Sequence, residues 1–173
     1  TSFADLHCDT LFECFVRHKD FSCQTHINAV NARVFSNYLQ TFAFFVPEKI
    51  KQKKDFLFDF IEFGGKVLRQ NGFSPDIIDE TAPCRAILAV ENCDVFTDEN
   101  EVGPVLDALY QKGVRILSLV YNNGNSLGSG AMSVTDTGLT PLGRTVVSAA
   151  EERGMTLDVS HASRNTTRDI LDI

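Results

Sequence analysis

The sequence predicts an α/β fold whose parallel strands belong to a (β/α)8 barrel, and three observations support this prediction. Apolar stretches of strand length alternate with amphipathic stretches of helical length along all 173 residues. The strand-length stretches are apolar at nearly every position, which is typical of strands covered on both faces. Ionisable side chains follow several of these stretches, and barrel enzymes collect such residues at the carboxyl ends of their strands. A doubly wound sheet also fits the alternation, but the sequence lacks the GxGxxG motif of a dinucleotide-binding sheet.

Five strands are predicted from apolar stretches that end at a polar or turn-forming residue. The first begins at Phe3 and reaches the pair His7 and Asp9. Pro47 ends the second strand, because proline cannot donate a hydrogen bond to a neighbouring strand. The predicted strands after the first cover residues 39–46, 85–90, 114–120 and 155–159.

Helices are predicted between the strands from apolar residues that recur at steps of three and four. The longest covers residues 48–71 and ends at Asn71-Gly72. Asp98 is a predicted N-cap, and Thr140-Pro141 provides both a cap and a proline at the first helical position. The other predicted helices cover residues 11–19, 99–112, 141–153 and 163–173. Irregular segments are predicted at residues 20–37 (with a helical turn within 28–36), 75–82 and 122–138.

The chain is predicted to form a single α/β domain over residues 1–173, because it has no internal repeat, no low-complexity run and no linker. A (β/α)8 barrel has roughly 250 residues, and only about five β/α units are present here. We therefore expect the sequence to be the N-terminal portion of a longer polypeptide.

The composition favours a soluble, cytoplasmic globular protein over a nucleic-acid-binding or membrane protein. The net charge of -7 and the pI near 5.0 argue against nucleic acid or an anionic membrane as a partner. No apolar run approaches the ~20 residues of a spanning helix, and no signal peptide is recognised. The five cysteines are an odd number without zinc-site spacing, which indicates reduced thiols. A homodimer is a plausible assembly.

The pair His7 and Asp9 is the first candidate for a metal site. If both residues lie in a strand, period-two alternation turns both side chains to the same face at its carboxyl end. An imidazole and a carboxylate side by side can bind a divalent ion. The alternative is a hydrogen bond between them with no metal.

Three further strand ends carry ionisable or polar side chains that could join this pair. These residues are Glu91, Tyr121, Asn122 and His161. Two histidines, an aspartate and a glutamate suit zinc or a similar ion, either as one site or as the start of a two-metal site. Two metals that activate water indicate hydrolysis. Alternatively, Glu91 forms a salt bridge and His161 a buried hydrogen bond. Asp5 and Asp158 are expected to support the ligands by hydrogen bonds.

Several blocks in the sequence resemble the membrane (renal) dipeptidase family of zinc peptidases, in its bacterial type. They are residues 5–11, 90–91, 106–115, 139–144 and 154–163. The resemblance implies a (β/α)8 barrel with two zinc ions, in which His7 and Asp9 bind one, His161 binds the other, and Glu91 bridges both. It also implies that hydroxide between the metals attacks the amide of a dipeptide, often one with a C-terminal D-residue.

Two positions depart from the pattern of that family. Tyr121 stands where mammalian members have a histidine that holds the substrate carbonyl, so Tyr121 and Asn122 are the expected substrate-binding residues here. Asn92-Cys93 follows Glu91 where the family usually has glycines, which predicts a bulkier loop. Two alternative functions remain at this point: another amidohydrolase-like barrel that acts on cyclic amides or lactones, and a non-catalytic metal-binding fragment of a barrel.

Overall fold

The computed structural model describes residues 1–75 and 81–173, so most of the predicted connector at 75–82 lies outside the described residues. The strands follow one another in the sheet in the order β1-β2-β3-β4-β5. The described pairings of β1 with β2 and of β4 with β5 are parallel. The strands are β1 (Ser2–Asp5), β2 (Asn37–Phe45), β3 (Cys84–Glu91), β4 (Val114–Ser118) and β5 (Thr156–Asp158).

The helices alternate with the strands, as the apolar periodicity predicts. They are α1 (Thr10–Arg17), α2 (Ala29–Ala32), α3 (Lys53–Gln70), α4 (Glu99–Gln111), α5 (Pro141–Glu152) and α6 (Arg164–Leu171). The prediction that the long helix starts at residue 48 is wrong, because α3 starts at Lys53. A turn precedes it, in which the Ile50 amide donates to the Pro47 carbonyl. Within the described residues, no helix combines the length and apolar character needed to cross a bilayer.

The residues pack into two compact units, one formed by Thr1–Phe45 and Asp55–Ala89, the other by Val46–Lys54 and Val90–Ile173. The prediction of a single domain is not tested by this grouping and stays a prediction.

Aromatic side chains from three elements form the core of the first unit. Phe60 of α3 is fully buried and stacks on Phe15 of α1, with ring centroids 4.8 Å apart. Phe44 of β2 packs edge-on against Phe60, also at 4.8 Å. Gly64 of α3 allows this close packing, since a Cβ at that position would lie 2.6 Å from the Phe44 ring. This packing fixes α1, and with it the chain segment that leads into α1.

Side-chain caps mark the starts of three helices in the second unit, and the two predicted caps are confirmed. The Asp98 side chain accepts from the Asn100 amide at the start of α4. Thr140 accepts from the Gly143 amide at the start of α5, where Pro141 is the first helical residue. Ser163 caps α6 in the same way, by accepting from the Thr166 amide. Because caps satisfy backbone donors that the helix leaves free, they determine where the loops before these helices end.

Candidate metal centre

The first candidate pair lies just beyond β1, and the prediction that both residues belong to the strand is wrong. β1 ends at Asp5, because the Asp5 carboxylate accepts the His7 backbone N–H at 3.3 Å in a local turn. The chain nevertheless stays beside β2. The Cys8 amide donates to the Thr41 carbonyl, and the Cys8 carbonyl accepts from the Ala43 amide, both at 3.0 Å. These two bonds hold the residues on either side of Cys8.

His7 and Asp9 approach each other from the two sides of Cys8. The His7 Nε2 and Asp9 Oδ1 atoms are 3.6 Å apart, and the side chains are 46% and 59% exposed. Asp9 is the N-cap residue of α1, yet its side chain accepts no capping hydrogen bond. Aspartate at this position usually bonds to the first turn of the helix. The Asp9 carboxylate is therefore directed to His7 and not to the helix.

The second candidate pair is Glu91 and His161, which lie in the second unit. Glu91 is the last residue of β3, and its side chain is only 8% exposed. The His161 Nε2 atom lies 3.2 Å from the Glu91 Oε1 atom. His161 has a φ of 63°, a left-handed conformation that is uncommon for residues other than glycine. Such conformations concentrate at functional sites, where the surrounding contacts hold them.

Asn122 orients the His161 ring. The Asn122 Oδ1 atom lies 2.8 Å from the His161 Nδ1 atom, and a carbonyl oxygen can only accept a hydrogen bond. The other ring nitrogen, Nε2, faces the Glu91 carboxylate at 3.2 Å. This separation fits either a proton or a cation held between the two atoms. Imidazole and carboxylate are ligands that zinc accepts, so these residues fit a metal ion.

The other predicted site residues are placed as follows. The Tyr121 ring packs against the His161 ring with centroids 4.4 Å apart. Asp158 accepts the Ser160 amide at 2.8 Å, and so bends the chain just before His161 as Asp5 bends it before His7. These two aspartates thus act on the backbone. The substrate-binding roles of Tyr121 and Asn122 stay predictions.

The thiols near the candidate ligands are largely buried, and burial disfavours their ionised forms. Burial raises the pKa of the Cys8 thiol to about 12, and burial also raises the pKa of the Cys93 thiol. All five cysteines lie within the described residues and are free of disulfide bonds, which agrees with the predicted reduced state.

The glycine-rich segment 122–138 holds the second pair, a role that sequence reasoning missed. The Ala131 amide donates to the His161 carbonyl, and the Met132 amide donates to the Asn122 carbonyl, both at 2.7 Å. Asp136 ties the far end of this segment to α6, by accepting from the Ser163 hydroxyl and from the Asn165 amide. The only signal in the sequence is the density of glycine and asparagine.

The Asp136 contacts predict a pH-dependent loss of stability. The Ser163 hydroxyl, followed by the Asn165 amide, holds the pKa of the Asp136 carboxyl below its usual range. A folded-state pKa below the unfolded value contributes stability above the unfolded pKa, and this contribution disappears as the pH falls through the folded pKa. We expect Asp136→Asn to be less stable than the wild type at pH 7, and the difference to be smaller at pH 3.

Urea unfolding at the two pH values measures this difference. In a Ser163→Ala background, the effect of Asp136→Asn at pH 7 should shrink, because the strongest donor is gone. A difference between Asp136→Asn and wild type that is the same at pH 3 and pH 7 would contradict the assignment.

Known protein families include one whose sequence profile matches this chain. The sequence profile of the membrane dipeptidase family (peptidase family M19) matches residues 1–173, the whole chain. The chain belongs to the membrane dipeptidase family. This confirms the resemblance predicted from the sequence blocks.

A curated relative and solved structures agree with the membrane dipeptidase family. "Uncharacterized dipeptidase C965.12" of Schizosaccharomyces pombe is 36% identical over 73 residues, which are 40% of this chain and 18% of that protein. Dipeptidase AC, described as a metallopeptidase of family M19, has a TM-score of 0.83 at 16% identity, covering 98% of this chain and 59% of that chain. The chain thus spans less than two thirds of the length of these relatives.

Two further structures share the fold. A metallopeptidase from Rhodobacter sphaeroides, liganded with a phosphinate mimic of the dipeptide L-Ala-D-Ala, has a TM-score of 0.80 at 16% identity. The match covers 98% of this chain and 61% of that chain. An amidohydrolase from Pseudomonas aeruginosa has a TM-score of 0.65 at 22% identity, with 77% and 41% covered. The predicted fold is confirmed: the strands and helices match the first β/α units of a (β/α)8-barrel dipeptidase.

Proposed function

We propose that the protein containing this chain is a zinc-dependent dipeptidase that hydrolyses the amide bond of dipeptides. The observation that carries the proposal is the Glu91–His161 pair, in which the imidazole Nε2 atom lies 3.2 Å from a buried carboxylate oxygen. Membership of the membrane dipeptidase family supports the activity. The phosphinate dipeptide mimic bound by the Rhodobacter sphaeroides metallopeptidase supports dipeptides as the substrate class.

We propose that His7, Asp9, Glu91 and His161 hold two zinc ions, with Glu91 shared between them, as the resemblance to the membrane dipeptidase family implies. The mixture of imidazole and carboxylate donors suits zinc. When bound, two zinc ions supply a water of lowered pKa and polarise the amide carbonyl. The protein itself provides the orientation of the donors: Asn122 turns His161, and the turn closed by Asp5 places His7.

Tyr121 and Asn122 are the residues of this chain that we assign to the substrate. The Tyr121 hydroxyl donates a hydrogen bond to the substrate carbonyl, in the role that a histidine has in mammalian members. Asn122 follows Tyr121 in the chain, and its side chain contacts the His161 ring. We therefore assign Asn122 a role toward both the metal ligand His161 and the substrate. A C-terminal D-residue is the proposed preference, as in the dipeptide that the mimic bound by the Rhodobacter sphaeroides enzyme represents.

We also propose that the protein is cytoplasmic and forms a homodimer. The free thiols support a cytoplasmic location. Sedimentation of the full-length protein measures its oligomeric state.

The proposal is tested on the full-length protein by zinc content and dipeptide hydrolysis. We expect two zinc ions per chain, hydrolysis of L-Ala-D-Ala, loss of both on dialysis against a chelator, and recovery of both when zinc is added back. Hydrolysis that persists without metal would overturn the proposal. Turnover of a cyclic amide or lactone but no dipeptide would identify the other amidohydrolase type. Bound zinc with no turnover of either would identify a non-catalytic metal-binding protein.

A further inference from the structure

Two asparagines that belong to no proposed ligand set connect the ends of consecutive strands beside Glu91. Asn92 follows Glu91 directly, is 1% exposed and has a φ of 62°. Asn125 lies in the glycine-rich segment, three residues after Asn122. The Asn125 Nδ2 atom donates to the Asn92 Oδ1 atom at 2.8 Å. The two side-chain amides thus link the Glu91 end of β3 to the segment that holds His161.

The remaining groups of both amides are bonded to the backbone of neighbouring elements. The Asn92 Nδ2 atom donates to the Val46 carbonyl at 2.6 Å, just beyond β2. The Val46 amide donates to the Glu91 carbonyl at 3.0 Å, so Val46 is bound on both sides by the end of β3. The Asn125 Nδ2 atom also donates to the Leu119 carbonyl, and Asn125 Oδ1 accepts from the Leu127 amide, both at 2.8 Å.

These contacts close a ring around the second candidate pair. Glu91 is bonded covalently to Asn92, whose side chain accepts from Asn125. Asn125 lies in the same short segment as Asn122, whose side chain binds His161. His161 in turn faces Glu91 at 3.2 Å. A closed ring of polar contacts restricts the separation of Glu91 and His161 more than any one bond does.

We infer that Asn92 and Asn125 are positioning residues, which hold Glu91 and His161 at the separation needed to share a metal ion. The inference rests on the proposed zinc site and deepens it. Hydrogen-bonded groups behind metal ligands commonly change metal affinity or activity by about 10–100-fold when they are removed. Asparagine suits position 92 because it tolerates the left-handed conformation and carries both a donor and an acceptor.

The first test separates the amide contact from the backbone conformation. Asn92→Gly keeps the left-handed backbone and removes the amide, whereas Asn125→Ala removes the partner. In the full-length protein, we expect each variant to bind zinc about 10-fold more weakly in chelator competition. We also expect kcat for L-Ala-D-Ala to fall by a similar factor with KM nearly unchanged. The loss in the double variant should be smaller than the product of the two single losses, because both substitutions remove the Asn92–Asn125 hydrogen bond.

Asn125→Asp tests whether the Asn125 side chain acts by donating hydrogen bonds or only by filling space. The carboxylate keeps the size of the amide but turns an acceptor toward Asn92 Oδ1 and the Leu119 carbonyl. We expect this variant to bind zinc at least as weakly as Asn125→Ala. Near-wild-type zinc binding and kcat in Asn125→Asp would show a volume-only role and overturn the inference.

Asn28→Ala is the matched control in the first unit. Asn28 is 6% exposed and also uses both ends of its amide, donating to the Thr25 carbonyl and accepting from the Val30 amide. The Asn28→Ala variant should have a lower melting temperature and unchanged zinc binding. A wild-type protein without zinc would refute the proposed function. Two zinc ions in the wild type with unchanged affinity in Asn92→Gly and Asn125→Ala would refute only the positioning role.

Discussion

Replacing Glu91 with glutamine is expected to lower kcat/KM for dipeptide hydrolysis by at least about 100-fold, the upper end of the range for residues behind metal ligands. The change keeps the size of the side chain and removes its charge. The buried position leaves little water to compensate, since the Glu91 side chain is 8% exposed. The His161 Nε2 atom then faces an amide in place of a carboxylate. Elemental analysis should therefore show loss of zinc together with the loss of activity.

Glu101→Gln is the control for the Glu91 prediction. Glu101 lies on α4, is 47% exposed and pairs with Lys54 at 2.6 Å. Exposed ion pairs contribute about 0–1 kcal/mol, so zinc content and kcat/KM should stay at the wild-type level. If Glu91→Gln kept two zinc ions and full activity, the role of Glu91 as a shared ligand would be excluded.

Replacing Gly130 with alanine is the second change with a large expected effect. A Cβ at this position would lie 1.9 Å from the Tyr121 carbonyl oxygen and 2.3 Å from the Asn122 carbonyl oxygen. Both are backbone atoms, so the segment must move as a whole. Crowding of this kind costs about 1–3 kcal/mol, and a displacement of about 1 Å in a reactive site can lower activity by about 100-fold. We expect a lower melting temperature and a strongly reduced kcat.

Gly65→Ala controls for the general effect of adding a methyl group to a glycine. Gly65 lies within α3, where the nearest atom to an added Cβ is the flexible end of Arg69 at 3.4 Å. Alanine favours a helix interior over glycine by about 0.5–1 kcal/mol, so this variant should be slightly more stable than wild type and equally active. An active and stable Gly130→Ala protein would show that the glycine-rich segment does not hold the site.

Local chemistry explains which parts of the fold could be predicted from the sequence. The caps Asp98 and Thr140 act on amides within three residues, so the sequence contains all the information they need. Strand existence follows from apolar runs, because burial on two faces requires them. The end of β1 was predicted incorrectly because the Asp5 side chain takes the His7 amide. An apolar pattern cannot indicate such a turn, because the turn depends on a single hydrogen bond between a side chain and the backbone.

The candidate site, too, could be predicted only in part from the sequence. The residue types of His7, Asp9, Glu91 and His161, and their places after predicted strands, indicated a divalent metal and hydrolysis. Neither the contact of His161 Nε2 with Glu91 nor the link between Asn92 and Asn125 could be predicted. These contacts join residues 33 and more positions apart in the chain, and no local pattern encodes which of several asparagines meet.

The sequence by itself determined the family, the alternation of strands and helices, and the donor types available for a metal. These features depend on composition and on spacing within single elements. Only the tertiary structure decided the orientation of the His161 ring toward Glu91, the need for glycine at position 130 and the ring of contacts through Asn92 and Asn125. Each of these depends on distances of about 3 Å between segments far apart in sequence, and such distances arise only when the segments pack.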